Sequence, residues 1–108
     1  MSKIQMTYNG TAYTLEYTRR TVKTMEDNGF NAGMIAEKPM TMLPMMFRGA
    51  FLANHRHLRT DVIDEIFDHV CNKEALMSKL SEMYAEPFNA LMDEPEEGGE
   101  GNAEWTEI

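Results

Sequence analysis

Ile4-Gln5-Met6-Thr7-Tyr8-Asn9-Gly10-Thr11-Ala12-Tyr13-Thr14-Leu15-Glu16 is the stretch on which the fold turns. Asn9-Gly10 favours a two-residue type I′ turn, because both central positions need positive φ and Asn and Gly adopt it at least cost. A turn of that length sets the register: Tyr8 faces Thr11, Met6 faces Tyr13 and Ile4 faces Leu15. Those six side chains share one face, and all but Thr11 are apolar or aromatic. Gln5, Thr7, Ala12, Thr14 and Glu16 take the other. A lone two-stranded hairpin is marginal in water, so its apolar face predicts helices packed against it.

Helical spacing dominates the chain that follows. Thr18 is placed to cap a short helix from Arg19 to Asn28, with Gly29 ending it and Val22, Met25 and Phe30 inward. Asn31 to Lys38 reads as one turn of helix that Pro39 closes. The next helix is expected from Met40 or Thr41 to His55, with Pro44 in its first turn, where a missing N–H costs little. Leu43, Met46, Phe47, Ala50 and Phe51 form one apolar stripe, and Met42, Met45, Gly49 and Leu52 a second. A helix apolar on nearly every side is either central to its own fold or covered by a partner. Thr60 or Asp61 caps a third helix to Cys71, with Val62, Ile63, Ile66, Phe67 and Val70 inward. Asn72 caps a fourth carrying Leu76, Met77, Leu80, Met83, Tyr84, Phe88 and Leu91, which Pro87 should kink or split.

The expected fold is therefore α+β: an N-terminal hairpin (residues 3–17) packed on four to five helices (18–92) in a single domain, 1–92. Residues 93–108 read as a disordered acidic tail. The net charge of -8 is concentrated there: seven of the 18 acids lie in this tail with no base, leaving 11 acids against 10 bases in the body. A near-neutral body with an acidic end argues against a nucleic-acid partner, which needs a basic surface. No apolar run reaches the roughly 20 residues of a membrane span, and the first residues lack the apolar core of a secretory signal. Cys71 is the single cysteine, so no intrachain disulfide forms, which fits a reducing cytoplasm.

Chemical motifs are sparse. His55, His57, His69 and Cys71 do not match zinc spacing, since His-x-His on a helix splays the rings by about 200°. They read as surface histidines and a small buried thiol. Asp64 and Asp68 read as the solvated face of a helix. No phosphate loop or nucleophile motif is present, so neither catalytic residues, metal nor cofactor is expected. What stands out is methionine, 11 residues in 108, four of them at Met40, Met42, Met45 and Met46. Flexible thioether chains suit both irregular cores and adaptable docking surfaces. The candidate docking surface is the second stripe, Met42, Met45, Gly49 and Leu52, joined by Trp105, the single tryptophan and a candidate anchor in the acidic tail.

Several segments carry a resemblance to a known family. They are Tyr13-Thr14-Leu15-Glu16-Tyr17-Thr18-Arg19-Arg20, Met25-Glu26-Asp27-Asn28-Gly29-Phe30, Lys38-Pro39, Phe47-Arg48-Gly49-Ala50-Phe51, Asn72-Lys73-Glu74-Ala75-Leu76 and Leu80-Ser81-Glu82-Met83-Tyr84, with Asn102-Ala103-Glu104-Trp105 near the end. Taken together over residues 3–92, the chain resembles the tail assembly chaperones of phages and prophages of Gram-positive bacteria. That resemblance implies a non-catalytic protein of the bacterial host cytoplasm. Its partner would be the tape measure protein, a long apolar helical chain that it coats and keeps soluble. It also implies recruitment of major tail tube subunits, and in many relatives a frameshifted longer product. The alternative is a structural tail or head-tail connector component retained in the virion. A homo-oligomer is compatible with either.

Overall fold

The computed structural model describes residues 2–93 and 106–107. Its architecture is α+β: an antiparallel hairpin, β1 (Ile4–Tyr8) and β2 (Thr11–Leu15), followed by four α-helices. These are α1 (Arg19–Asp27), α2 (Pro39–Gly49), α3 (Thr60–Asp68) and α4 (Lys73–Met92), with a 3₁₀ turn at Ala32–Met34. Asn9 and Gly10 both have positive φ, 49° and 80°, and the register pairs Tyr8 with Thr11, Met6 with Tyr13 and Ile4 with Leu15, as the turn chemistry requires. Ile4, Met6, Tyr8 and Tyr13 pack against the core and Leu15 is fully buried in it.

Local capping sets α1 at both ends. The Thr21 N–H donates to Thr18 Oγ1 (3.1 Å) and the Thr18 N–H donates to Thr21 Oγ1 (2.8 Å). This reciprocal box satisfies two groups a helix start would otherwise leave open. At the other end Gly29 takes φ 99°, its N–H donating to the Glu26 carbonyl (3.0 Å) while that of Phe30 donates to Met25 (2.9 Å). That is a Schellman ending, and it turns Phe30 into the core beside Met25.

Helix α2 departs from expectation at both ends. Pro39 opens it instead of closing the preceding turn, since a fixed φ and a missing N–H suit a first helical position. Pro44 therefore lies inside the helix, in its second turn, where it leaves the carbonyl of the exposed Met40 without its usual donor. The α-helical pattern stops at Gly49, short of His55. Beyond it the chain tightens into three-residue turns, with Ala50, Phe51 and Leu52 N–H groups donating to Phe47, Arg48 and Gly49.

The cause of this early ending is the second strand. With the Ala50 N–H turned to Phe47, the Met46 carbonyl is taken by the Tyr17 hydroxyl at 2.6 Å. Glu16 N–H donates to the Ala50 carbonyl (3.0 Å), Thr14 N–H to His55 Nε2 (3.0 Å), and Asn54 Nδ2 to the Thr14 carbonyl (3.3 Å). From Thr14 onward the outer edge of β2 is thus paired with the turns that follow α2 and is not left open there. His55, expected as a surface residue, is instead an acceptor wedged against Tyr13 and Phe51.

Helix α2 is central, packing on α1, α3, α4 and the 3₁₀ turn. Its Met42, Met46 and Phe47, with Ala50 and Phe51 just beyond its end, share one core with Met25 and Phe30, Ile63 and Ile66 of α3, and Leu80 and Met83 of α4. Arg48 fixes α3 by a two-pronged ion pair to Asp64, Nε to Oδ1 at 2.8 Å and Nη2 to Oδ2 at 2.7 Å. Asp64 is therefore a tie between helices and not merely part of a solvated face. Helix α4 starts from Asn72 at φ 57° and continues through Pro87, so of the two expected outcomes, a kink or a split, the split does not occur. Pro87 is buried, and the ring fills space while its missing N–H removes one bond. Among the described residues no buried side-chain polar atom lacks a partner.

Two consequences can be measured. Tyr17→Phe keeps the ring and removes the donor to Met46, so urea unfolding should show a loss of roughly 1–3 kcal/mol. The hydrogen bonds from Arg48 hold the Asp64 carboxyl below its usual range. A depressed folded-state value adds stability above the unfolded value, about pH 4, that is lost as pH falls through the folded one. The stability difference between wild type and Asp64→Asn should thus be largest near neutrality and close in acid; a gap independent of pH would refute the role of this pair.

Candidate docking groove

Two of the four residues expected to form a docking stripe on α2 belong to the core. Met42 is only 7% exposed. Gly49 is buried, and a Cβ there would collide with the Met25 side chain, so the small residue serves the crossing of α1 over α2. The reason is the central position of α2: of the two environments open to a helix apolar all round, this one takes its own fold. Met45 and Leu52 are half-buried and packed at the edge of the core. Leu52 also borders a small recess of about 230 Å³ with Ala53, Arg20 and Arg56. Trp105 lies outside the described residues, as does most of the acidic tail, 94–105 and 108.

The open apolar surface lies elsewhere. A groove of about 690 Å³ runs between α1 and the second half of α4. Helix α4 supplies Tyr84, Ala85, Pro87, Phe88 and Leu91, and α1 supplies Val22. Tyr84, Pro87, Phe88 and Leu91 recur at i, i+3, i+4 and i+7, one face of a helix. Its upper members emerge from the body: Phe88 is 63% exposed, Leu91 52% and the neighbouring Met92 67%. The floor at Tyr84 is firm, its ring edge-on to Tyr17 (5.5 Å) and to Phe30 (5.2 Å). Burial and the nearby Glu26 carboxylate push the Tyr84 phenol above its usual range, so it stays a neutral donor.

Charge is one-sided on the α1 wall. Arg19, Arg20 and Lys23 line it with a single acid, Glu26. Lys23 pairs with Asp27 at 3.0 Å, whereas Arg19 and Arg20 are in no ion pair among the described residues. The described residues of the groove set apolar side chains beside a cationic rim, a surface suited to burying apolar groups.

No group of three or more potential metal ligands occurs among the described residues. Cys71 is exposed, not buried as expected. His69 sits by Tyr8, with ring centroids 5.6 Å apart and Nδ1 2.8 Å from the Glu65 carbonyl. No helix among the described residues is long and apolar enough to cross a membrane.

With this geometry in hand, the comparison with known families gives one match. Residues 1–107 fit the model of a family described as a domain of unknown function (DUF5055), and the chain belongs to that family. No curated protein and no solved structure matches it.

The placement of the two stripes has a direct test. Met42→Glu puts a carboxylate into the core and should lower stability by at least about 3 kcal/mol. Phe88→Glu replaces an exposed side chain and should stay within about 0.5 kcal/mol of wild type. Thermal and urea unfolding of the two variants side by side would separate core from surface; equal losses would return Phe88 to the core.

Proposed function

We propose that this protein is a tail assembly chaperone of a long-tailed phage or prophage. It binds the tape measure protein in the host cytoplasm and keeps it soluble without catalysis, and it helps bring tail tube subunits to the assembling tail. The observation that carries this reading is the apolar groove between α1 and α4, which leaves Phe88 and Leu91 open on a folded body. Exposed apolar patches of this kind mark interaction sites, and a helical partner is recognised by laying its apolar stripe into such a groove. The resemblance of residues 3–92 to tail assembly chaperones supports the same reading and supplies the partner's identity. The docking site moves with the geometry, from the α2 stripe to the groove. Met45 remains at most an edge contact.

The role suits the chemistry of the surface. A long apolar helix needs many weak contacts that can be released as the tube assembles, and unpolar side chains on one open face provide them without a fixed lock. The excess of acids in the chain, -8 overall, adds charge repulsion between loaded particles and favours solubility.

Co-expression with the tape measure protein of the same gene cluster, followed by size-exclusion chromatography, tests the proposal. Co-elution in a soluble complex is expected, with the tape measure insoluble alone and the complex lost on Phe88→Glu with Leu91→Glu. A tape measure that stays insoluble in the presence of this protein would overturn it. Recovery of the chain from purified virions would instead favour a retained structural component.

A further inference from the structure

The groove between α1 and α4 stands open, and the sequence that follows α4 has the chemistry to close it. Phe88 and Leu91 leave apolar surface uncovered, and the α1 rim sets Arg19, Arg20 and Lys23 against the single acid Glu26. Arg19 and Arg20 are in no ion pair among the described residues. Residues 93–108 hold seven acids and no base. Trp105 and Ile108 are the two large apolar residues of that segment, and Thr106 and Glu107 between them are polar and exposed. A segment of that composition can set an indole and an isoleucine on an apolar surface, keep polar side chains in water and bring carboxylates to a cationic rim.

We propose that the groove is closed by residues 103–108 of the same chain, with Trp105 seated against Phe88 and Leu91 and acids of the segment facing Arg19 and Arg20. Reach allows it. The α4 wall of the groove, from Tyr84 to Leu91, is only about 10 Å of helix, and α4 ends at its border. From Asp93 to Trp105 the chain can span up to about 40 Å. Gly98-Gly99 permits the reversal that a return towards α1 requires, since neither position carries a Cβ. Tethering favours this occupant over one from outside, because a segment on a short linker meets its site at an effective concentration on the order of millimolar. Tryptophan is also among the side chains that dominate small contacts of this kind. The unloaded groove is then covered from within, and an outside partner enters it by displacing Trp105.

This inference stands apart from the proposed chaperone role, and its test contains no client. Trp105 is the single tryptophan, so the tryptophan fluorescence of the full chain reads its surroundings alone. Emission should lie to the blue of that in urea and acrylamide quenching should be weaker, both independent of protein concentration. Phe88→Glu with Leu91→Glu should return the emission to the red and raise the quenching constant at least about twofold. Arg19→Glu with Arg20→Glu should act in the same direction, as should high salt on the wild type. Circular dichroism checks that the variants fold, and the arginine pair, exposed on α1, carries the test if the groove pair does not fold. A wild-type Trp105 as open to acrylamide as in urea overturns the proposal. So does shielding that survives both pairs of substitutions, which would place Trp105 on another face. Shielding lost on dilution overturns it as well, in favour of a contact between copies.

Discussion

The hydroxyl of Tyr17 donates to the carbonyl of Met46 at 2.6 Å in the interior of the protein, and much of the architecture follows from that bond. A helix leaves its last carbonyls without intrahelical donors, and a buried carbonyl without a partner is costly. Tyr17 supplies one donor from the chain just after β2, and Glu16 supplies another to Ala50. The hairpin is thereby fastened to the end of α2 by the backbone as well as by apolar contact. Burial lifts the Tyr17 phenol far above its ordinary value, first by desolvation and then through the neighbouring Tyr84, which favours the protonated, donating form. The same ring stands edge-on to Tyr84, which carries the anchoring into α4.

Once α2 is held in this way, its surroundings are determined. Helices α1, α3 and α4 close around it, and the apolar surface of α2 is spent on the interior. What remains for an outside partner must come from an element that outruns its neighbours. Helix α4 has 20 residues against nine in α1, about 30 Å against 14 Å of helix. Its last turns extend the apolar spacing past the body's cover, and the exposed Phe88, Leu91 and Met92 are the result. The groove is thus a consequence of unequal helix length around a shared central helix.

The parts of the fold legible in the sequence are those governed by local chemistry. Asn9-Gly10 dictates positive φ, and the register follows; Thr18 and Gly29 mark α1 because capping and left-handed termination act over a few residues. The C-terminal end of α2 was not legible, because it depends on Tyr17 and Glu16, distant in the chain, reaching across to Met46 and Ala50. Proline at 39 carries the same covalent constraint whether it closes a turn or opens a helix. The open apolar groove was hidden for a related reason. Spacing assigns residues to a face but does not say how far its neighbours cover it: Met42 and Phe88 both sit on regular apolar stripes, yet Met42 is 7% exposed and Phe88 63%. Gly49, read as a smooth place for a partner helix, accommodates Met25 of the same chain.

The open face of α4 stands on a body that resists rearrangement, because Met25 packs closely on Gly49 and Arg48 ties α2 to α3 through Asp64. A partner that met Phe88 and Leu91 would therefore meet a surface already formed, and contact with it would ask for no change in the core. The cost of such contact would fall on the rim, where Arg19, Arg20 and Lys23 lose water unless the partner brings acids to face them.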